Sequence, residues 1–136
     1  MTGRAIGPET SPSAFAAAMG LEITAWEEGF VRLEAPIAPW HLNRTSVIHG
    51  GIAAAMIDMA CGFAGIYSPP GAPPRHALTL SLTVNFTGQT NDGRMIAEGR
   101  VKSSGRRIYF TEAVLTDDAG QMLAFGTGVF RYRTGS

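Results

Sequence analysis

Along residues 78–86 apolar and polar side chains alternate. Leu78, Leu80, Leu82, Val84 and Phe86 fall on one face, and Thr79, Ser81, Thr83 and Asn85 on the other. A period of two predicts a β-strand with one face on a core. Three more strand-like stretches follow, 94–102, 106–116 and 121–131. Asn91-Asp92-Gly93, Ser103-Ser104-Gly105 and Asp117-Asp118-Ala119-Gly120 separate them and predict turns. Upstream, residues 21–36 alternate weakly around Glu28-Gly29 and predict a hairpin. Ser13 to Met19 predict a short helix stopped by Gly20. Residues 37–48, with Pro39 and Asn43, read as a loop. Successive strands joined by short turns pair antiparallel.

Between the two sets of strands the pattern changes. Segment 51–67, GIAAAMIDMACGFAGIY, is apolar on nearly every side and is followed by Ser68-Pro69-Pro70-Gly71. It predicts a helix that is buried on nearly every side. With an Asp at its middle it makes a poor membrane span. The fold class is therefore α+β: an antiparallel sheet of five or six strands curled around one long apolar helix.

The 136 residues predict a single domain over 1–136, with 1–12 a loose, Pro-containing arm. Lys plus Arg (11) balances Asp plus Glu (11). That balance argues against nucleic-acid and membrane partners and leaves little repulsion between copies of the chain. A lone cysteine, Cys61, excludes an internal disulfide and a zinc site built on several thiolates. His41, His49 and His76 show no metal-ligand spacing, so no metal is expected. Nothing demands an oxidising compartment or marks a signal peptide, and the cytoplasm is the expected location.

Asp58 is the only Asp, Glu, Lys or Arg between Arg44 and Arg75. A carboxylate in an apolar helix needs either a cavity or dedicated hydrogen-bond donors. It reads as a reactive group or as a structural Asp. Just ahead of the helix stands His49-Gly50-Gly51. A helix start carries unpaired N–H groups and partial positive charge, and glycines let a ligand oxygen approach, as an oxyanion hole requires. The same triplet also reads as a Gly-rich turn with a capping His. Asn43 reads as a loop-closing residue or as a second amide donor. Gly50 and Asp58, eight residues apart, lie roughly 12 Å apart along a helix axis. One carbonyl group cannot touch both. If both act on one substrate, Gly50 of one chain meets Asp58 of another at a two-fold interface. Cys61 reads as a small buried hydrophobe. Gly126 and Gly128 mark close packing. Arg106 and Arg107, with Arg100 and Lys102, form a basic corner that either holds phosphates or is solvated edge charge.

The run Asn43…His49-Gly50-Gly51…Asp58, followed by the strand 78–86, resembles the hotdog-fold acyl-CoA thioesterases, their phenylacetate-pathway (PaaI-type) branch in particular. The likeness covers about residues 20–132. It takes in Ala97-Glu98-Gly99-Arg100, Gly105-Arg106-Arg107, and Asp118-Ala119-Gly120 before Phe125-Gly126-Thr127-Gly128. The resemblance implies hydrolysis of an aryl- or medium-chain acyl-CoA to the free acid and CoA, with no cofactor beyond the coenzyme A of the substrate. It implies a homodimer with joined sheets and sites at the interface, and often a dimer of dimers, a homotetramer. Asp58 would activate water or attack the thioester carbon. The Gly50 N–H would polarise the thioester oxygen, with the Asn43 side chain assisting and His49 bracing the loop near Asn43. Position 62, one turn past the carboxylate, is a glycine, so Thr79 would supply the hydroxyl that positions water. Gly51, Met59 and Phe63, with Met56 and loop 68–76, would contact substrate. Many relatives carry Arg-Pro-Ala after the Phe of this strand. Thr87-Gly88-Gln89-Thr90 stands here instead, which leaves Arg106 and Arg107 as the phosphate candidates. Two other activities fit the same fold. One is non-catalytic binding of an acyl-CoA or small ligand. The other is a hydratase or dehydratase pairing the carboxylate with His49.

Overall fold

A computed structural model describes residues 13–133, so the arm expected over 1–12 lies outside the described residues. The elements are α1 (Ala14–Met19), β1 (Glu22–Glu27), β2 (Phe30–Pro36), a single 3₁₀ turn (Pro39–His41), α2 (Gly50–Ala64), β3 (Ala77–Phe86), β4 (Arg94–Ser104), β5 (Ile108–Asp117) and β6 (Met122–Tyr132). Ser13 caps α1 by accepting a hydrogen bond from the Ala16 N–H, and Gly20 ends it in the left-handed region at φ 76°. Gly29, at φ 78°, makes the turn between β1 and β2, as the Glu28-Gly29 signal predicts.

The strands form one antiparallel sheet in the order β1-β2-β4-β5-β6-β3. This corrects the expectation that successive strands pair throughout. β3 does not pair with β4. After β2 the chain crosses the sheet as α2 and lays β3 against β6 at the far edge. β4 then returns to β2, with Glu34 opposite Ile96. The crossover is long enough to span the sheet, so sequence adjacency places no constraint on β3.

α2 lies on the inner face of this sheet. Its buried residues, Ile52, Ala53, Met56, Ile57, Ala60, Cys61 and Ala64, recur at three- and four-residue spacing. The opposite stripe, Ala54, Ala55, Asp58, Met59, Gly62 and Phe63, is only half buried. The expected burial on nearly every side is thus corrected: one sheet covers one side of a helix. Met56 has no exposed surface, so it is core rather than part of a substrate pocket. The contact is close. A Cβ on Gly99 would run into the Ala60 carbonyl, and one on Gly126 into the Thr83 carbonyl and Ile57. Gly126 and Gly128 therefore mark close packing, as their positions predict.

The helix stops at Ala64 rather than at residue 67 because three aromatic side chains claim its last carbonyls. Tyr109 Oη–H donates to Gly62 O at 2.7 Å, Trp26 Nε1–H to Phe63 O at 3.0 Å, and Tyr132 Oη–H to Gly65 O at 2.8 Å. Carbonyls at a helix end have no intrahelical partner and need such donors. Tyr109 and Phe130 stack with ring centroids 5.2 Å apart. A Cβ on Gly65 would collide with the Tyr109 ring. No helix among the described residues is long and apolar enough to cross a membrane.

Tyr109→Phe keeps the ring and removes this donor, leaving Gly62 O with only the Gly65 N–H at 3.3 Å. The unfolding free energy is expected to fall by about 1 kcal/mol, read from urea denaturation.

Candidate active site

The loop between the 3₁₀ turn and α2 is built around Asn43. Its Oδ1 accepts hydrogen bonds from Thr45 N (2.9 Å), Thr45 Oγ1 (2.9 Å) and Val47 N (3.3 Å). The Asn43 N–H donates to Val47 O, and Leu42 bridges Ile48. Asn43 is therefore the loop-closing residue. Because its oxygen is fully occupied, the group left to offer a ligand is the amide NH2, a donor.

At the start of α2 the two first N–H groups have different fates. His49 is the N-cap, and its Nδ1 accepts from Gly51 N–H at 2.8 Å. The His49 main-chain N–H donates to His41 O at 2.8 Å. His49 thus braces the helix start rather than bonding near Asn43 as expected. The Gly50 N–H has no hydrogen-bond partner among the described residues. It points out of a helix N-terminus, where positive potential gathers. Gly50 and Asn43 line one cavity of about 190 Å³, together with Ala53, Phe86, Gln89 and Leu123. The Thr87–Thr90 corner therefore forms part of the wall at this end. Gly51, its amide already bonded, does not line this cavity.

Asp58 lies two turns further along, on the half-open stripe. Thr79 Oγ1–H donates to its Oδ1 at 2.8 Å. Oδ2 has no hydrogen-bond partner among the described residues. Thr79 reaches it because β3 carries a bulge. The register runs Thr79 to Phe130 and then Ser81 to Val129, so Leu80 is an extra residue. Ahead of the bulge Ala77 and Thr79 face the helix; after it Leu82 and Val84 do. This corrects the alternation read over 78–86. Leu78 and Leu80 do not share the core face and are 45% and 54% exposed. A bulge inserts one residue and switches the phase of the strand. The Thr79 hydroxyl keeps its lone pairs for a water proton while its own proton rests on Asp58.

The structure thus groups Gly50 with Asn43, and Asp58 with Thr79, at separate places on one helix. Within one chain the His49 ring is bonded at the helix start and does not join Asp58. Phe63 packs edge-on against Trp26, with ring centroids 5.4 Å apart, and Met59 sits half buried at the margin of the core. Cys61 is fully buried, and loss of solvent pushes its thiol up to about 11, which leaves it a hydrophobe. Arg106 and Arg107 lie in the β4–β5 turn. Arg107, not Arg106, lines a second cleft with Arg131 and Arg133, which sequence reading missed because those two stand 24 or more residues away.

The sequence profile of the thioesterase superfamily matches residues 45–124. A Pseudomonas aeruginosa protein named "Putative esterase PA0474" is 30% identical over 91 residues, 66% of either chain. The chain spans about two thirds of the length of that curated relative. Among solved structures, conserved protein PA5202 from Pseudomonas aeruginosa is 26% identical with a TM-score of 0.81, covering 93% of this chain and 99% of that one. The E. coli PaaI protein from the phenylacetic acid degradation operon is 20% identical with a TM-score of 0.80, over 91% and 87%. These likenesses establish the hotdog fold. They do not single out the phenylacetate branch, since PaaI is one of several comparable neighbours.

His41, for which the sequence offers no role, is fully buried under the site loop. Its Nδ1 accepts from Ala38 N–H at 2.9 Å, and its buried Nε2 has no partner. Burial lowers its pKa below the ordinary 6.5. The unfolded chain therefore takes up a proton on this ring below pH 6.5 that the folded chain refuses until a lower pH. Stability that is fully present above 6.5 is lost as pH falls from there toward the folded value. Asn at this position retains an oxygen for the Ala38 N–H and cannot titrate. Thermal melts from pH 7.5 to 5 are expected to show a steeper fall in Tm for the wild type than for His41→Asn.

Proposed function

Because the chain belongs to the thioesterase superfamily, we propose that it hydrolyses an aryl- or medium-chain acyl-CoA to the free acid and CoA, with Asp58 as the reactive carboxylate. One observation carries this reading. On the open stripe of an apolar helix stands a carboxylate with one oxygen held by a hydroxyl and the other unoccupied, and at the start of that helix an N–H has no partner. The first arrangement suits attack on a carbonyl carbon. The second suits the charge that attack places on the carbonyl oxygen.

Water resting between Asp58 and Thr79 loses a proton to Oδ2 as its oxygen adds to the thioester carbon. The carbonyl oxygen becomes an oxyanion, held by the Gly50 N–H and the Asn43 amide. Collapse of this intermediate breaks the C–S bond and releases the acid and the thiol, with the proton from Asp58 balancing the charge. The direct route, attack by Oδ2 itself, forms a mixed anhydride that water then cleaves. Single turnover in H₂¹⁸O separates the two: label enters Asp58 only on the direct route.

The roughly 12 Å between Gly50 and Asp58 favours a site whose two halves come from different chains of a homodimer. The two sheet edges support this. β1 is short and bears Glu22 and Glu27, which discourage pairing. β3 runs over ten residues without a charge or a proline, and Leu78, Leu80 and Phe86 stand exposed along it. On the outer face of the sheet Phe110, Val114 and Phe125 are exposed, which favours a dimer of dimers.

Asp58→Asn is expected to lower kcat by at least about 100-fold in a thiol-release assay over aryl and aliphatic acyl-CoAs, with an unchanged melting profile. Full activity in the folded variant overturns the mechanism. Leu80→Lys puts a charge on the β3 edge and is expected to yield monomers by light scattering, with turnover lost in parallel.

A further inference from the structure

From Ala35 to Ile57 the chain contains no Asp or Glu, and its one permanent charge there is Arg44. The loop after the 3₁₀ turn gathers the polar side chains of this stretch. A hollow of about 550 Å³ lies on it, lined by Leu42, Asn43, Arg44, Thr45 and His49. Main-chain bonds fix its frame: Asn43 N–H donates to Val47 O at 2.8 Å, and Ser46 N–H to Asn43 O at 3.0 Å. Arg44 is exposed and has no carboxylate partner among the described residues. The donors of the hollow are open, while its chief acceptors are occupied. Asn43 Oδ1 takes three hydrogen bonds, one of them from the Thr45 hydroxyl, so the free end of that side chain is its NH2. His49 Nδ1 accepts from Gly51 N–H, so the neutral ring carries its proton on Nε2, a donor. A hollow edged by a guanidinium, an imidazole N–H and an amide NH2, with no carboxylate in its lining, suits a small anion.

We propose that this hollow recognises a second carboxylate on the acyl group, so that the preferred substrates are thioesters of short dicarboxylic acids and Arg44 is the residue that selects them. The proposal rests on the thioesterase reading and narrows its acyl class through a residue to which that reading gives no role. Asn43 links the hollow to the chemistry, because it lines both this hollow and the smaller cavity at the Gly50 N–H. An acyl group whose carbonyl oxygen rests on Gly50 and Asn43 has Arg44 one residue away, with α-carbons about 3.8 Å apart. An anion held here therefore lies a few bonds from the thioester. The far carboxylate of a short diacid meets that requirement. The phosphates of coenzyme A do not, because the whole pantetheine arm separates them from the sulfur. A planar guanidinium takes both oxygens of a carboxylate at once, and Leu42 offers an apolar wall to the methylenes between. An acyl chain that ends in a methyl group has no such partner and leaves Arg44 to water.

The test compares adipyl-CoA with hexanoyl-CoA in the intact chain. The two acyl groups have equal numbers of carbons and differ in the terminal carboxylate. The wild type is expected to favour adipyl-CoA in kcat/KM, and the ratio of the two values to fall roughly ten-fold or more in Arg44→Gln. Arg44→Lys keeps the charge, loses the fork and is expected to retain part of the preference. Low ionic strength is used, where an exposed charge is least screened. Position 44 is at the surface, and melting curves verify that the variants fold. Disturbance of the loop alone slows both esters alike and leaves the ratio where it was. A ratio unchanged in Arg44→Gln overturns the proposal, as does a wild type that favours hexanoyl-CoA. If the wild type cleaves neither ester, the thioesterase reading fails by itself. Calorimetric titration then decides the hollow. Tighter binding of adipyl-CoA than of hexanoyl-CoA, with the difference lost in Arg44→Gln, supports it, and equal binding of the two overturns it.

Discussion

The Ala60 carbonyl lies against the α-carbon of Gly99, and Ile57 lies against Gly126, with no room for a side chain between. At this separation the helix backbone rests on the sheet almost directly. Small residues on both elements, Ala60 and Ala64 on α2 with Ala97 and Ala113 on the strands, complete the contact. Such packing gains dispersion and excludes water over a large area, but only on one side of the helix. Everything on the other side follows from that limit. The stripe through Ala55, Asp58, Met59 and Gly62 has no sheet to cover it, and the one charge within a helix among the described residues stands there.

The two ends of α2 are held by different means. At its beginning one side chain, His49, satisfies one amide and leaves its neighbour Gly50 open. At its end three rings from β1, β5 and β6 satisfy three carbonyls. The closed end sets the position of the helix along the sheet, and the open end is left with hydrogen-bonding capacity. Asp58 sits between them, where the helix cannot slide and its carboxylate meets Thr79 in a fixed geometry.

Features set by neighbouring residues were legible in the sequence. The short helix from Ser13, the Gly20 stop, the Glu28-Gly29 turn and the strand read over 106–116 all rest on contacts within a few positions. So did the candidate site along one helix, because Asn43, Gly50 and Asp58 stand in a single continuous segment. What could not be read depends on segments meeting across the fold. The place of β3 beside β6 depends on where a helical crossover lands. Leu80 fits an unbroken alternation in sequence, and only its pairing with β6 exposes it as surplus. His41 shows its burial only once the 3₁₀ turn folds beneath the loop. Arg131 joins Arg107 because β5 and β6 pair, which no local pattern announces.

The surplus residue in β3 has a wider effect than the aim of one hydroxyl. A β-strand normally has a single phase, so a change that turns one side chain inward turns every second one inward along its length. With Leu80 inserted, β3 has two. The segment ahead of it is geared to the carboxylate, and the segment behind it to sealing the core with Leu82 and Val84. The inward phase is set separately on either side of that point. An exchange at Thr79 alters what meets the carboxylate while Leu82 and Val84 keep their own register toward the core. Removing Leu80 would restore one phase and force the two tasks to compete for the same face.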